Sequence, residues 1–341
     1  MSGYQVVPLD VDDDVAYAAW HRVYEAAERH GRGASATPWQ AEELRVMIRD
    51  GGTRSWSTAY AGLLGGELVA TGRVRLPLLD NRDRAELAVH VHPDHRRRGY
   101  GRAMLARLEE VARGRGRTIL GGETRYAYGA GAEGIGESGP EFARACGYVL
   151  GLGDVQRELR LPVDDALLDA LAAEAAPHHA AYTLRSWVGP VPEELLQGWA
   201  DLASTLMTEA PTGDLTLEPE SASTAAVRED EAETAKKGRT KLHTVALAAD
   251  GTVAAYTDLA CTDHGSDRGY QWGTLVRRDH RGHRLGLAVK VANLRQLQQL
   301  RPSVRTLVTY NAEVNEHMVG VNDRLGYTPT ARLGEFQKTL A

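Results

Sequence analysis

The sequence predicts an α+β fold: a mixed, mostly antiparallel sheet flanked by helices, built twice along the chain. Two observations predict it. Strand-like and helix-like segments follow in the same order in both halves, and short motifs of the first half recur in the second. At 341 residues the chain is longer than a typical single domain, which favours two domains of similar size.

The recurring motifs lie at a nearly constant separation. Asp94-His95-Arg96 recurs as Asp279-His280-Arg281, and Cys146-Gly147-Tyr148 recurs as Leu325-Gly326-Tyr327. "GDVQRELRL" from Gly153 has a counterpart in "GEFQKTLA" from Gly334. Three matches in one order indicate a tandem duplication. We therefore predict an N-terminal domain over 1–160, a helical linker over 161–180 and a C-terminal domain over 181–341.

The first half contains alternating patterns typical of strands and helical spacings of apolar residues. "LGGE" at Leu64 to Glu67 is a hairpin turn, and Gly114 is a natural helix stop. The predicted strands are Tyr4–Pro8, Ser55–Leu63, Glu67–Leu76, Glu86–Val91, Thr118–Tyr126 and Gly153–Leu161. The predicted helices are 13–30, 38–50, a helix ending near Arg113 and a short one near Phe142.

The second half repeats this order. "AADGTVAA" contains an Asp-Gly turn between two strands. An acidic stretch from Glu218 to Lys237 is either a charged helix or a mobile loop. The remaining strands are 182–188, 271–276, 304–310 and one near Phe336, and the helices are 192–206, 284–300 and 315–325. Val163 to Ala176 is an Ala- and Leu-rich helix of the linker.

Composition limits the classes of function. Apolar residues make up 43% and charged residues 25%, as in ordinary globular proteins, and the net charge of −6 argues against nucleic acid as a main partner. No run of apolar residues is long enough to span a membrane and no secretory signal is recognisable, so we expect a cytoplasmic protein that is a monomer or a homodimer. The two cysteines are expected to be reduced thiols, and the histidines show no metal spacing.

The stretch "DHRRRGYGRAML" from Asp94 carries the strongest chemical signal. It runs from a strand into a helix with the pattern Arg-x-x-Gly-x-Gly. The first turn of a helix offers free N–H donors and the positive end of the helix dipole, and glycines allow an anion to approach the backbone closely. These features predict a pyrophosphate cradle, with a simple glycine turn as the alternative. The preceding antiparallel strands disfavour a dinucleotide-binding βαβ unit, and a P-loop would need Gly-Lys-Ser/Thr.

"VHPDHRRRGYGRAML" resembles the acyl-CoA-binding signature of the GNAT superfamily of N-acetyltransferases, whose core is Arg/Gln-x-x-Gly-x-Gly/Ala. The resemblance covers both halves, including the hairpin and the C-terminal Gly-Tyr pair. It implies two tandem GNAT domains, acetyl-CoA or another acyl-CoA as donor, a small-molecule amine as acceptor and direct transfer. The cofactor residues implied are Val89, Val91, Arg96, Arg97, Arg98, Gly99, Tyr100, Gly101 and Arg102 in the first half, and Leu275, Val276, Arg277, Arg281, Gly282, His283, Arg284, Leu285, Gly286, Leu287 and Asn315 in the second.

The two copies depart from the family pattern in different places. Arg284 stands where the first glycine of the signature falls, although Gly282 lies nearby. Asn311 and Asn315 match positions at which relatives contact the cofactor, whereas the first half has a glycine-rich insert there. Neither copy keeps the usual tyrosine acid, since Ala143 and Asn322 replace it. We therefore expect the second half to carry the chemistry.

Candidate catalytic residues follow from the same resemblance. Glu313, at the end of a strand, is the first candidate for the base or for acceptor binding, Tyr270 is a candidate proton donor, and the neighbouring Asn311 is the third catalytic candidate. Asp263 and His264 lie in a loop that could line the acceptor side. Each of these side chains could also be an ordinary loop or packing residue. Two other classes stay open: an acyl-CoA-binding protein without turnover, and a protein that binds nucleic acid through its basic loops.

Overall fold

The computed structural model describes residues 3–49 and 52–340, and the chain forms two compact units. The first contains the residues up to Asp154, residues 213–216 and the residues from Ala331 onward. The second contains 155–212 and 217–330. Each unit has helices packed on a mixed sheet, which confirms the predicted α+β fold.

Strands and helices are numbered along the chain. The strands are β1 (Tyr4–Pro8), β2 (Ser55–Leu64), β3 (Glu67–Pro77), β4 (Arg84–Val91), β5 (Ile119–Ala127), β6 (Val149–Arg160), β7 (Thr183–Val188), β8 (Arg239–Leu247), β9 (Val253–Thr262), β10 (Arg268–Val276), β11 (Thr306–Ala312) and β12 (Thr328–Thr339). The helices are α1 (Asp14–Arg29), α2 (Ala41–Arg49), α3 (Tyr100–Gly114), α4 (Ser138–Ala145), α5 (Asp165–Ala175), α6 (Glu193–Ala203), α7 (Leu206–Glu209), α8 (Thr224–Lys236), α9 (Leu285–Leu300) and α10 (Glu316–Leu325).

The sheet of the first unit has the strand order β1-β2-β3-β4-β5-β12, in which only the β4–β5 pair is parallel. One face is apolar and packs on α3 through Met104, Leu105 and Leu108. The other face is covered near β2 by α1 and α2, whose Trp20 and Leu44 are buried with Ala59. Because side chains alternate between faces, these two cores account for the alternating patterns that predicted the strands.

The last strand of the chain completes the first unit. Residues Ala331 to Thr339 pair antiparallel with β5, from Ala127 to Ile119. Phe336 is 2% exposed and packs in the same core as Leu108 and Tyr148. The sequence assigned this strand to the C-terminal domain, because chain order cannot show which sheet edge a final strand joins. The domain boundaries 1–160 and 181–341 follow the duplication of the sequence and stay a prediction. The two compact units of the structure divide the chain at other residues.

The second unit has the strand order β6-β11-β10-β9-β8-β7, with β10 and β11 parallel. Its core contains α9 and also α5, whose Leu168 and Leu171 are buried. The segment predicted as a linker is therefore a core helix of this unit. The acidic stretch forms the helix α8 from Thr224, preceded by residues without regular structure.

The remaining predictions concern termini, cysteines, metals and membranes. The predicted helix 38–50 is observed as α2, and Asp50 lies outside the described residues. Cys146 and Cys261 are both free thiols, as predicted. In the described part of the chain no group of side chains has the arrangement of a metal site. None of its helices is long and apolar enough to cross a membrane.

Replacing Phe336 with Ala should destabilise the first unit by about 3–5 kcal/mol, because a fully buried aromatic ring leaves a cavity in a packed core. Hydrogen exchange of the β5 amides should accelerate accordingly, while the β9 amides of the second unit should be little affected. Val149→Ala is the control, since Val149 is 66% exposed. Equal effects of the two substitutions would contradict the assignment of the last strand to the first core.

Candidate functional site

The parallel strands β4 and β5 of the first unit pair over a short distance only. Their register runs from Arg84 opposite Ile119 to Glu86 opposite Gly121, and both strands then continue beyond the last pair. On its other edge β5 stays paired with β12 along its whole length. The strands therefore enclose a gap, the first gap, between the end of β4 and the end of β5.

The hydrogen-bonding alternation of β4 shows which backbone groups face the first gap. His92 donates its N–H to Val69 O at 2.9 Å, so His92 and Val69 form a hydrogen-bonded antiparallel pair. Because such pairs alternate, the even-numbered residues of β4 bond to β3, and the N–H and C=O of Val89 and Val91 point to the other side. The predicted cofactor residues Val89 and Val91 thus present backbone donors and acceptors to the gap.

The second unit has a corresponding second gap between β10 and β11. Their parallel register ends with Tyr270 opposite Val308. Arg277 donates its N–H to Ala254 O at 2.9 Å, so the same alternation turns the amides of Thr274 and Val276 toward the gap and that of Leu275 toward β9. Of these two neighbouring residues, both predicted to bind the cofactor, Val276 directs its backbone amide to the second gap and Leu275 does not.

A β-bulge between Gln271 and Thr274 shapes the second gap. The carboxylate of Asp258 accepts a hydrogen bond from Gly273 N at 2.7 Å, and Gln271 Nε2 donates to Thr257 Oγ1 at 3.0 Å. Burial raises the pKa of the Asp258 carboxyl, although the ammonium of Lys241 at 3.8 Å opposes this. These side chains hold the bulge in place.

The loops that follow β4 and β10 share one backbone conformation. In the first loop Arg97 has φ 62° and Gly99 has φ 89°, and in the second Gly282 has φ 87° and Arg284 has φ 51°. By the repeat, Arg97 corresponds to Gly282 and Gly99 to Arg284. Each loop therefore has two left-handed residues, one glycine and one arginine, in opposite order. The second loop therefore keeps the same backbone conformation, although Arg284 stands where the signature has a glycine.

The first arginine of each motif stabilises the protein itself. Arg96 Nε donates to Val91 O at 3.2 Å and its Nη2 to Ala27 O at 3.2 Å. Arg281 Nε donates to Val276 O at 3.4 Å. Both guanidinium groups thus fasten the loop to the end of the preceding strand. Neither is aimed at a ligand by these contacts, in contrast to the role suggested by the motif.

The helix that follows each loop begins without a side-chain cap. Gly99 and Arg284 are the N-cap residues of α3 and α9, and neither helix has a side-chain cap hydrogen bond. The first intrahelical bonds are those of Ala103 N and Ala288 N, so the N–H groups before them, including those of Gly101 and Gly286, are available to an anion. Both loops therefore fit a diphosphate in their backbone geometry.

The charges around the two loops differ. In the described part of the chain, the exposed side chains of Arg97, Arg98 and Arg102 form no ion pair. In the second loop Arg281 pairs with Glu209 at 2.7 Å, and Arg284 pairs with Glu174. The first loop keeps its positive charge for a ligand, whereas carboxylates partly neutralise the second.

Two further predicted cofactor residues of the second loop also contact neighbours in their own unit. Arg277 pairs with Asp279 at 3.2 Å. The imidazole of His283 lies 3.1 Å from His178 O. Leu285 and Leu287 are buried at the start of α9, so they contribute their backbone and anchor the helix.

The predicted catalytic residues Asn311 and Glu313 and the predicted cofactor residue Asn315 lie near the end of β11, and both asparagines bond within their own unit. Asn311 Oδ1 accepts a hydrogen bond from Asn322 Nδ2 at 2.6 Å, and Asn315 Oδ1 caps α10 by accepting from Met318 N at 3.2 Å. Glu313 lies exposed in the turn between them. Tyr270 lies on the last pair before the second gap, with the guanidinium of Arg239 5.0 Å from its ring centroid.

Sequence reasoning missed a set of charged residues on the first sheet, which we call the charged face. It lies on the same side of the sheet as α1, beside the first gap, because cross-strand partners share a face. Its members are Arg73, Arg75, Glu86, His90, Glu123, Arg125 and Glu335. The signal was present in the sequence, since charged residues alternate in "RVR" of β3, "RAELAVH" of β4 and "ETR" of β5.

Two carboxylates face each other across strands on the charged face. Glu123 of β5 is the register partner of Glu335 of β12, and like charges in this arrangement repel. Burial, with Glu123 and Asp154 nearby, raises the pKa of Glu335 to about 8. Burial and Glu123 likewise raise the pKa of Asp154 to about 6. Glu335 therefore releases its proton at a higher pH than an ordinary glutamate, and it lies on β12, across β5 from the first gap.

The helix α1 supplies a second group of charges to this face. Glu28 Oε1 lies 3.0 Å from His90 Nε2, and Glu28 Oε2 accepts from Arg32 Nη2 at 2.5 Å. Burial opposes ionisation of Glu28, but the hydrogen bond from His90 and the nearby arginines outweigh it and hold the pKa of Glu28 far below its usual value. Glu28 is a permanent anion that orients His90.

Comparisons with known proteins agree with this geometry. The sequence model of the acetyltransferase (GNAT) family matches residues 17–127, within the first unit. Mycothiol acetyltransferase of Kineococcus radiotolerans is 30% identical over 223 residues, which are 61% of this chain and 68% of that protein. A tandem GNAT protein from the clavulanic acid biosynthesis pathway is 30% identical, with a TM-score of 0.82 over 98% of both chains. A GCN5-related N-acetyltransferase from Sphaerobacter thermophilus, 16% identical, has the same fold with a TM-score of 0.67 over 99% of this chain and 96% of that one.

The left-handed positions of the second loop yield a prediction about stability. Gly282→Ala should cost about 1–2 kcal/mol, because it places a Cβ at a left-handed position that favours glycine. Arg284→Ala should change stability by less than about 0.5 kcal/mol, since Arg284 already has a Cβ and its ion pair is exposed. Denaturant unfolding of the two variants provides the measurement. A larger loss in Arg284→Ala would contradict the exchange of roles between the two positions.

The raised pKa of Glu335 predicts a pH dependence of stability. Because the folded pKa of about 8 exceeds the unfolded value of 4.5, the folded state binds more protons between these values, and stability falls as pH rises through this range. Glu335→Gln should therefore melt at a higher temperature than the wild type at pH 8 and at nearly the same temperature at pH 4. Glu110→Gln, at an exposed position, is the control. A difference that does not grow with pH would refute the raised pKa.

Proposed function

Since the chain belongs to the GNAT acetyltransferase family, we propose that its first unit transfers an acetyl group from acetyl-CoA directly to a primary amine of a small molecule. One observation carries the proposal: the first gap lies between a loop with uncommitted arginines and a face on which the carboxylates of Glu123 and Glu335 are register partners. That the chain is an N-acetyltransferase follows from its family. The unit that carries the reaction and the nature of the acceptor are the proposed parts.

The first loop and the start of α3 would hold the diphosphate of the cofactor. The available N–H groups of Tyr100, Gly101 and Arg102 are donors for phosphate oxygens, and Arg97 and Arg98 add charge. The backbone groups of Val89 and Val91 in the first gap suit the amide groups of the pantetheine arm, which would bond to β4 as a further strand does.

Acetyl-CoA supplies an acetyl thioester, to which the amine nitrogen bonds as the sulfur leaves. The N–H of Val89 faces the gap and would donate a hydrogen bond to the carbonyl oxygen as it gains charge. The acceptor ammonium must lose a proton before it can react. Glu123, which follows the last β4–β5 pair on the charged face, would accept that proton as the general base, with Glu335 opposite it on β12.

The second unit, which the sequence led us to expect as the catalytic half, is the alternative location. Its loop has the same backbone conformation, and Glu313 and Tyr270 are its candidate catalytic residues. Ion pairs of Arg281 and Arg284 make this loop less favourable for a diphosphate, and Asn311 and Asn315 serve the fold. In this proposal the second unit supports the first, with or without bound acyl-CoA of its own. A protein that binds acyl-CoA without turnover is the remaining alternative from the sequence.

Substitutions in the two loops test the location. Gly101→Val should lower kcat/KM for thiol release by at least about tenfold, because a Cβ at Gly101 already lies 3.4 Å from Phe142 and Val91, and further bulk would displace the cradle. Gly286→Val should leave the rate within about threefold, because the second loop takes no part. Glu123→Gln should lower kcat by about 10²-fold with little effect on the KM for acetyl-CoA.

The assay is thiol release from acetyl-CoA across a panel of primary amines, with circular dichroism as the check on folding. Full activity in Gly101→Val, with loss in Gly286→Val or in the double variant Glu313→Ala/Asn315→Ala, would place the reaction in the second unit. Binding of acetyl-CoA without thiol release for any amine would support the binding protein instead.

A further inference from the structure

One cation on the charged face has no partner. Arg73, in the middle of β3, has its Nη1 buried without a hydrogen bond, and its guanidinium forms no ion pair with any described residue of the chain. Burial lowers the pKa of Arg73, although Glu86 opposes this. Arginine stays charged in proteins, and nearby Glu86 and Glu123 favour this charge without a direct ion pair to the guanidinium.

The carboxylates near Arg73 each have another cation. Glu86 pairs with Arg75 at 2.7 Å, and Glu123 pairs with Arg125 at 2.9 Å. Glu28 of α1 is bonded to Arg32 and His90. Carboxylates are therefore present near Arg73, but each of them is paired with another cation.

Arg73 is half-buried, and its buried, unbonded Nη1 is costly in free energy unless an acceptor bonds to it; an anionic ligand would supply that acceptor. Other donors on this side of the sheet are also buried and unbonded in the described residues: Ser57 Oγ on β2, Thr71 Oγ1 on β3 and Arg32 Nη1 in the turn after α1. Each of these groups can donate hydrogen bonds, and Arg32, like Arg73, is cationic. A set of unfilled donors suits an anion and does not suit a cation or an apolar group.

The position of Arg73 limits the size of an acceptor that carries both this anionic group and an amine. Arg73 is the register partner of Ala88, which adjoins Val89 at the first gap. Directly opposite residues of antiparallel strands have Cβ atoms about 4.5–5.5 Å apart. An acceptor whose amine reaches the gap while its anion reaches Arg73 must therefore carry the two groups only a few bonds apart.

We propose that the first unit has an anion subsite centred on Arg73 and that its acceptor is a small amine bearing an anionic group, such as an amino acid with a free carboxylate. The guanidinium binds the carboxylate through two parallel hydrogen bonds. The amine then lies over the first gap, near Glu123. This inference rests on the proposed function in one respect, because it takes the ligand of the subsite to be the acceptor of the reaction. Binding of an anion at Arg73 does not itself require turnover.

Calorimetric titration tests the subsite with the full chain and matched probes. Glycine, β-alanine and γ-aminobutyrate are each compared with the corresponding carboxamide, and phosphoethanolamine distinguishes a phosphate from a carboxylate. We expect at least one acid to bind at least tenfold more tightly than its amide. Arg73→Met should abolish this difference and Arg73→Lys should restore part of it. Arg75→Met is the control, since Arg75 lies two residues away on the same face but is paired with Glu86; it should retain the preference.

Stability provides a second readout. Arg73→Met should raise the melting temperature of the free protein, because it removes a half-buried charge that has no ion pair in the described residues, whereas Arg75→Met should not. Failure of every acid to bind, or binding unaffected by both Arg73 variants, would overturn the subsite. Should Arg73→Met fail to fold, the titration with Arg73→Lys and Arg73→Gln decides.

Turnover distinguishes the subsite from the proposed function. Acids that bind through Arg73 but release no thiol from acetyl-CoA would support the subsite and count against transfer in the first unit. Amines that are acetylated equally well with and without an anionic group would support transfer and overturn the subsite.

Discussion

The parting of β4 from β5 is the constraint on which the first unit depends. Strands that separate leave backbone donors and acceptors without partners, and such groups are costly unless something else bonds to them. β5 tolerates the separation because β12 pairs with it along its other edge. On β4 the N–H and C=O of Val89 and the N–H of Val91 stay open to the gap, while Val91 O accepts from Arg96. A ligand with amide groups of its own can fill this gap, and the loop and the uncapped start of α3 follow on the same strand.

The duplicated copies keep one backbone and differ in chemistry. The two left-handed positions recur in both loops although glycine and arginine have changed places. The first arginine of each motif bonds to the end of its strand in both copies. What differs is electrostatic, because Glu174 and Glu209 pair with the arginines of the second loop only. A backbone cradle is thus retained by geometry, while its affinity for a diphosphate is set by neighbouring side chains.

The charged face carries arrangements that do not favour stability. Glu123 and Glu335 lie opposite each other, and Arg73 has no partner. Burial and repulsion between the carboxylates raise the pKa of Glu335, and a carboxylate pair beside the first gap suits an amine that must lose a proton. Such costs are typical of sites whose groups are arranged for a ligand rather than for the fold.

The sequence by itself determined the α+β class, the duplication, most strand and helix positions and the two loops, because these depend on local periodicity and on glycine and arginine spacing. Tertiary structure decided that Ala331 to Thr339 complete the first unit and that α5 is a core helix rather than a linker. It also decided which backbone groups face each gap, so that Val276 but not Leu275 is directed there. The charged face was visible in the sequence only as alternating charges. Strand register and contacts between residues far apart in the chain decide whether Arg73 is paired and whether Glu335 lies opposite another carboxylate. No local sequence pattern encodes these contacts.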